Sequence, residues 1–410
     1  MKRELDIYYE DRKVGIFGVT EQAEYYITYS PEWLRSGFPV SVHLPLAQQV
    51  HKGKVVEYFI ENLLPEAGIR HAIAQQHGIS AENYFSLMQH IGHDCAGAFS
   101  LGAPQSEGEY QKLTTSELKE ILLHLPQYPQ VSHRKGASFS LAGAQNKIPL
   151  YLKDGKFHLP LNGAASNTII KTPLSRVKNS VANELFCMRL GKHVLQHVAE
   201  VEYLPLDEAS SLIVHRYDRT AIAGTLHRTP QEDFCQLASL PSAMKYECDG
   251  GPGFRQCAEL IKKYSGLPAL DISRLVRWAV FNLCIGNMDA HAKNLSLYTV
   301  SVNLKLAPFY DLISTLQYPE FNGDLAMRIG GRRNPAKIGK KQWEAFAEDV
   351  ALPKGFVLSE VRKSIRSIIS SLPEAAEELV TQPVDQAFIS ELRQSILRRC
   401  ISLRRSLDNE

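Results

Sequence analysis

Hydrophobic and polar positions alternate with a period of two at the start of the chain. Residues 5–9 and 14–19 carry such runs on either side of the charged turn at Asp11, Arg12 and Lys13, which predicts a hairpin. Residues 25–29 predict a third strand. The period becomes helical over 56–64 and 69–77, with Pro65, which has no N–H to donate, at the boundary. Residues 103–135 are polar, hold Pro104, Pro126 and Pro129, and read as a connector with one helix over 116–125, capped by Thr115 or Ser116. Strand patterns then dominate at 147–152, 156–159, 168–171, 201–206 and 211–214, interrupted by a helix over 180–192. From 231 onward the pattern is helical, at 232–237, 253–264, 272–285, 341–350, 355–371, 374–381 and 386–407. A β-rich part followed by a helix-rich part predicts an α+β architecture of two lobes with a cleft.

Composition narrows the class. The 410 residues suffice for two to three domains. An apolar share of 44% with 22% charged residues excludes a disordered chain. The net charge of +2 gives no global pull toward nucleic acid or membrane, so any basic surface is local. Two clusters qualify: Arg328, Arg332, Arg333, Lys337, Lys340 and Lys341, and, near the carboxy terminus, Arg393, Arg398, Arg399, Arg404 and Arg405. The seven cysteines are scattered and form no C-x-x-C pair, which argues against a disulfide framework or a zinc knuckle and fits a reducing compartment. The amino terminus is charged, and the most apolar stretch, 275–288, is short and broken by Arg277 and Asn282. The expectation is a cytoplasmic protein that does not engage a membrane.

The sharpest chemical signal is Gly286-Asn-Met-Asp-Ala-His-Ala-Lys-Asn294, directly after a helical apolar run. Asp289 and Asn294 are five apart, and Asp311 follows a short β-rich insert. An acid, an Asn five residues on and a second acid form a phosphotransferase pattern. The first Asp accepts the proton of an attacking hydroxyl. The Asn and the later Asp supply hard oxygen ligands for Mg²⁺. Lys171 ends the apolar strand at 168–171, where a lysine can reach nucleotide phosphates, and Glu184, in helical text, can pair with it. The run Ser138-Phe-Ser-Leu-Ala-Gly-Ala-Gln-Asn-Lys147 places small residues where backbone N–H groups can approach a phosphate, although its single Gly143 matches no phosphate-loop signature. The strand at 211–214 runs into His215, Arg216, Tyr217 and Asp218, where backbone groups of His215 and Tyr217 can meet an adenine edge.

These segments together resemble the HipA family of toxin kinases. The likeness spans nearly the whole chain and includes Tyr29-Ser-Pro-Glu-Trp-Leu34, Asn62-Leu-Leu-Pro-Glu66, Ile91-Gly-His-Asp94, Leu141-Ala-Gly-Ala-Gln-Asn-Lys147, Gln231-Glu-Asp-Phe-Cys-Gln236, Lys245-Tyr-Glu-Cys-Asp-Gly-Gly-Pro-Gly253 and Asp289-Ala-His-Ala-Lys-Asn294. The resemblance implies a two-lobed kinase-like fold, akin to protein and phosphoinositide kinases, with a β-rich amino-terminal lobe and an all-helical carboxy-terminal lobe. It divides the chain at 1–105, 106–215 and 216–410. It implies that ATP and Mg²⁺ are used, with Asp289 as catalytic base and Asn294 and Asp311 as metal ligands. Ala142, Gly143, Ala144, Gln145, Asn146, Lys147, Lys171, His215, Tyr217 and His291 would serve the nucleotide. Ser140 would be autophosphorylated, with Ser138 a second candidate. The implied substrate is an aminoacyl-tRNA synthetase, glutamyl-tRNA synthetase foremost. The implied partner is a HipB-like helix-turn-helix antitoxin, with which the toxin sits on operator DNA as corepressor. Asn146 stands where the family often has an acidic residue, and His215 where a Glu is common. The paired serines match a subgroup whose amino-terminal part is a separate protein, whereas here that part is fused. Two rivals remain: a lipid or small-molecule kinase of the same fold, and a mainly DNA-bound corepressor.

Overall fold

A computed structural model describes residues 3–125, 136–141, 145–174, 177–300, 303–318 and 323–408. The chain divides into two compact units. The first comprises Met1–Thr172, Leu206–Glu232 and Ser239–Ser242, and the second Pro173–Pro205, Asp233–Ala238 and Ala243–Glu410.

The first unit opens with β1 (Arg3–Tyr9), β2 (Arg12–Val19), β3 (Tyr25–Tyr29), helix α1 (Pro31–Ser36), β4 (Val50–Lys52), helices α2 (Lys54–Leu63), α3 (Ala67–His77) and α4 (Tyr84–Ile91), and β5 (Phe99–Leu101). The strands form an antiparallel sheet in the order β4-β3-β2-β1-β5. Alternation puts Phe17, Ile27 and Tyr29 on the buried side, a register shift between β1 and β2 brings Val14 in as well, and they join Trp33, Phe59, Leu87 and Met88 in one core. Gly15 lets β2 and β3 approach, because a Cβ there would lie 2.0 Å from the Thr28 carbonyl oxygen.

A second sheet follows, built from β6 (Glu109–Lys112), β7 (Lys147–Lys153), β8 (Lys156–Leu161) and β9 (Thr168–Lys171). With β10 (Val201–Leu204) assigned to the second unit, the next strand here is β11 (Ser211–His215), and the order within the unit is β11-β9-β7-β8-β6. The segment expected to be a mere connector thus contributes β6, which pairs antiparallel with β8. All four β6 residues are exposed, so no apolar alternation marks it in the sequence, and the ladder alone holds it. Helix α5 (Thr115–His124) begins one residue earlier than expected, because Thr114 and Glu117 close a reciprocal capping box. A hairpin of β12 (Arg219–Ile222) and β13 (Thr225–Arg228) completes the unit.

The second unit is mostly helical. Its helices are α6 (Ser180–Leu195), α7 (Phe234–Leu237), α8 (Phe254–Tyr264), α9 (Pro268–Ile285), α10 (Lys340–Asp349), α11 (Lys354–Glu377) and α12 (Gln386–Asp408). It is not all-helical: β15 (Ser296–Val300) and β16 (Asn303–Leu306) pair as a hairpin. The helix expected over 232–237 is instead the end of strand β14 (Gln231–Asp233) followed by the single turn α7, which Asp233 caps. The two helices expected on either side of Pro373 are one, α11, with the proline inside it. Pro373 removes one i→i−4 bond, and the helix continues past it for a further turn to Glu377. Trp278, Phe281, Trp343, Phe346 and Ile368 fill this unit's core. Among the described residues no helix is long and apolar enough to cross a membrane.

Candidate active site

The residues singled out from the sequence fall into two sets, one in each unit. In the first unit, β9 lies between β7 and β11. Its last residue, Lys171, is the cross-strand partner of both Lys147 and Leu212. Directly opposed residues in an antiparallel pair project from the same face, and like charges so placed repel. Lys147 and the buried Lys171 thus sit on one face at the same strand end. The chain entering β7 is tied to the same strand end. The Gln145 side-chain amide donates to the Thr172 carbonyl at 2.8 Å, and the Asn146 carbonyl accepts from the Thr172 N–H at 3.3 Å. Ala142, Gly143 and Ala144 lie outside the described residues.

Upstream of them the chain is fixed. Ser140 is fully buried, its hydroxyl donates to the Leu63 carbonyl at 2.7 Å, and its N–H donates to the Asp94 carbonyl at 3.0 Å. Ser138 accepts from the His93 N–H at 3.3 Å. At the other side of the sheet, β11 ends at His215, and the Tyr217 hydroxyl donates to the Gln231 side chain.

Between those two residues lies Arg216, part of a buried charge cluster that the sequence reading did not find. Asp94 Oδ1 accepts from Arg219 at 2.9 Å and lies 3.2 Å from Arg228. Its Oδ2 accepts from the Ser166 hydroxyl at 2.6 Å and from Arg216 at 3.3 Å. Asp218 accepts from Arg216 at 2.8 Å and from the Gly97 N–H at 2.8 Å. Burial alone would raise the Asp94 carboxyl, but the three guanidinium groups outweigh it and hold the group well below the usual carboxylate range. The cluster fixes the backbone that flanks His215 and Tyr217 to the segment that also holds Ser140.

In the second unit, helix α9 ends at Gly286, whose φ of 70° and whose lack of a Cβ (one would lie 2.3 Å from Leu316) both require glycine. Asn282 on α9 accepts a 2.8 Å hydrogen bond from the Asn287 side chain. The Asn287 oxygen in turn accepts from the Asp289 N–H at 3.0 Å, an Asx turn that sets the start of the loop. The same Asn287 amide donates to the Asp311 carbonyl at 3.3 Å, which ties the two acidic segments together. Asp289 accepts from the Tyr246 hydroxyl at 2.6 Å. Lys293 pairs with Asp233, and the Lys293 carbonyl accepts from Tyr310 at 2.8 Å.

Among the described residues, two polar atoms of this loop are buried without a hydrogen-bond partner, Asn294 Oδ1 and His291 Nδ1. Burial, reinforced by the Lys245 ammonium, pushes His291 down to about 3, so its imidazole is neutral. Asp311 adopts a left-handed backbone with φ of 54°, an uncommon conformation for a non-glycine residue and one met at functional sites. An oxygen acceptor left unanswered beside a carboxylate segment suits a hard divalent cation such as Mg²⁺, which keeps water and phosphate oxygens as its other ligands. Among the described residues no group of three or more His, Cys, Asp and Glu could hold a metal without such help. Glu184, the candidate partner of Lys171, is buried on α6.

The sequence reading missed Asn287 and Tyr246 as well as the arginine cluster. The Asn-x-Asp spacing at 287–289 was the available signal for the first.

Comparison with known proteins now decides the family. Residues 5–102 match the model of the HipA N-terminal domain, and residues 139–379 match that of the HipA-like C-terminal domain. The chain belongs to the HipA family. It is 35% identical over 421 residues to the Sinorhizobium fredii protein Y4mE, a kinase by name, with 99% of each chain covered. It is 28% identical over 416 residues to the serine/threonine-protein kinase toxin HipA of Shewanella oneidensis, covering 97% of this chain and 95% of that one. Among solved structures it is similar to Shewanella oneidensis HipA in complex with HipB and its operator DNA. The TM-score there is 0.87 at 28% identity, with 99% of this chain and 98% of that one covered.

Proposed function

We propose that this HipA-family member is an ATP- and Mg²⁺-dependent serine/threonine protein kinase acting as the toxin of a toxin–antitoxin pair. The observation that carries the reading is the catalytic loop. It holds a carboxylate placed by Asn287 and, five residues on, a buried Asn294 oxygen with no partner. Asp289 takes the proton of the acceptor hydroxyl. Asn294 and Asp311 would hold Mg²⁺, which neutralises charge on the transferring phosphate when bound. Lys171, Lys147 and the segment carrying Ala142, Gly143, Ala144, Gln145 and Asn146 bind the ATP phosphates. Backbone groups of His215 and Tyr217 meet the adenine, and neutral His291 serves the same nucleotide.

The acceptor we favour is an aminoacyl-tRNA synthetase, glutamyl-tRNA synthetase first. The enzyme silences itself by phosphorylating Ser140, with Ser138 second; about −1.5 to −2 added charges there would repel the ATP phosphates. A HipB-like antitoxin recruits it to operator DNA. Support comes from the full-length likeness to the HipA that was solved with HipB and operator DNA. On α12, Arg398, Arg404 and Arg405 are exposed and available to phosphate backbones. Arg399, expected in that cluster, instead turns inward and donates to the Leu283 carbonyl.

The test is phosphate transfer from ATP–Mg²⁺ by the dephosphorylated protein, read by intact mass and peptide mapping, with Asp289→Asn as control. A one-phosphate gain on Ser140 or Ser138, in wild type only, supports the reading. No gain, together with no transfer to glutamyl-tRNA synthetase, refutes it.

A further inference from the structure

The Tyr246–Asp289 hydrogen bond is not the accident of a free side chain. Tyr246 is fixed from both directions along the chain. The Lys245 carbonyl accepts from the Ala292 N–H at 3.1 Å, inside the catalytic loop. The Glu247 N–H donates to the Ala326 carbonyl at 3.3 Å, and its carboxylate accepts from the Arg328 N–H at 2.5 Å. The Tyr246 carbonyl accepts from both Asp249 and Gly251, closing a turn so tight that a Cβ on Gly251 would lie 2.1 Å from the Met244 carbonyl oxygen. The ring meets the buried His291 edge-on, with centroids 5.2 Å apart at 82°. So held, the phenol O–H reaches Asp289 Oδ1 at 2.6 Å, the length of a charge-assisted O–H···O⁻ bond.

That separation is also what a general base needs toward the hydroxyl it deprotonates. Tyr246 therefore stands, hydroxyl for hydroxyl, in the place of an acceptor. We infer that Tyr246 gates the acceptor step: its hydroxyl occupies the base oxygen Asp289 Oδ1 in the resting enzyme, and an incoming hydroxyl takes over that bond before phosphate transfer. The inference rests on Asp289 being the base in the proposed kinase. It assigns Tyr246 no part in holding ATP.

The smallest acceptor is water, so ATP hydrolysis reads the gate without knowledge of the protein substrate. The probe is ATP–Mg²⁺ alone, with release of phosphate measured for wild type, Tyr246→Phe, Asp289→Asn and the Tyr246→Phe/Asp289→Asn double variant. Tyr246→Phe keeps the ring and removes only the hydroxyl. We expect its hydrolytic kcat to rise about fivefold, the net worth of one hydrogen bond exchanged with water. KM for ATP should stay unchanged, and the gain should vanish in the double variant. An unchanged or lower kcat in Tyr246→Phe overturns the gate; a fall would mean that the hydroxyl orients the base instead. If wild type hydrolyses and transfers nothing, the kinase reading fails on its own. The tyrosine is then judged by the fluorine resonance of 3-fluorotyrosine at position 246. Its shift in Asp289→Asn supports the hydroxyl's seat on the carboxylate, and an unmoved resonance overturns it.

Discussion

The charge cluster around Asp94 and the loop around Asp289 both bury polar groups, and they do so in opposite ways. In the cluster every carboxylate oxygen of Asp94 meets a donor or cation within the fold, from Ser166 and from three arginines. In the loop an acceptor, Asn294 Oδ1, is buried with nothing to accept from, and Asp311 keeps a left-handed backbone. A satisfied buried network stiffens a fold, whereas an unanswered buried acceptor costs stability unless something else supplies the partner. The cluster is thus an internal joint whose carboxylates are answered, although Arg219 Nε and Arg228 Nη1 find no hydrogen-bond partner among the described residues, and the loop is where a ligand is proposed.

Substitutions separate the two. The largest effect is expected from Asp289→Asn, which should lower phosphate transfer by about 10²–10⁴-fold while leaving the thermal midpoint close to wild type, measured by transfer assay and calorimetry. Asp94→Ala should do the reverse. Leaving Arg216, Arg219 and Arg228 without their shared carboxylate should cost about 3–5 kcal/mol, read by urea unfolding. An Asp94→Ala protein of wild-type stability would break the distinction. Asn294→Ala comes next: transfer should fall about 10–100-fold, relieved in part by added Mg²⁺. Its stability should change by less than about 1 kcal/mol, since the side-chain oxygen gives up no partner.

The smallest effect is one of pH. Burial, and then Arg228, lowers His93 from the usual 6.5. Between its folded value and 6.5 the unfolded chain binds a proton that the folded chain does not, so stability should decline as pH falls below 6.5. Urea titrations across that range should show a shallower decline in His93→Gln, and identical slopes would sink the assignment.

Much of the fold could be read from periodicity. Residues 25–29 and 168–171 coincide with β3 and β9, the first through the apolar residues of its buried face and the second through the short apolar run of a central strand. Edge strand β6 escaped because it has no such face. The loop was singled out because Asp289, Asn294 and Asp311 are close in sequence and their types suit phosphate transfer. The cluster was not. Asp94, Ser166 and the stretch from Arg216 to Arg228 lie far apart in the sequence, and only the folded chain brings them together. Pro373 misled for a related reason. A proline removes one helix bond, which the packing of a long helix such as α11 can outweigh.

Ser140 gives the molecule a sense of time. With its hydroxyl given to Leu63 and its N–H to Asp94, the serine is out of reach of any phosphate donor until that segment lets go. The phosphorylation proposed for it would then proceed no faster than the segment opens, however much ATP surrounds it. A toxin silenced through such a residue would stay active for an interval written into two hydrogen bonds, and a single change at position 140's neighbours would lengthen or shorten it.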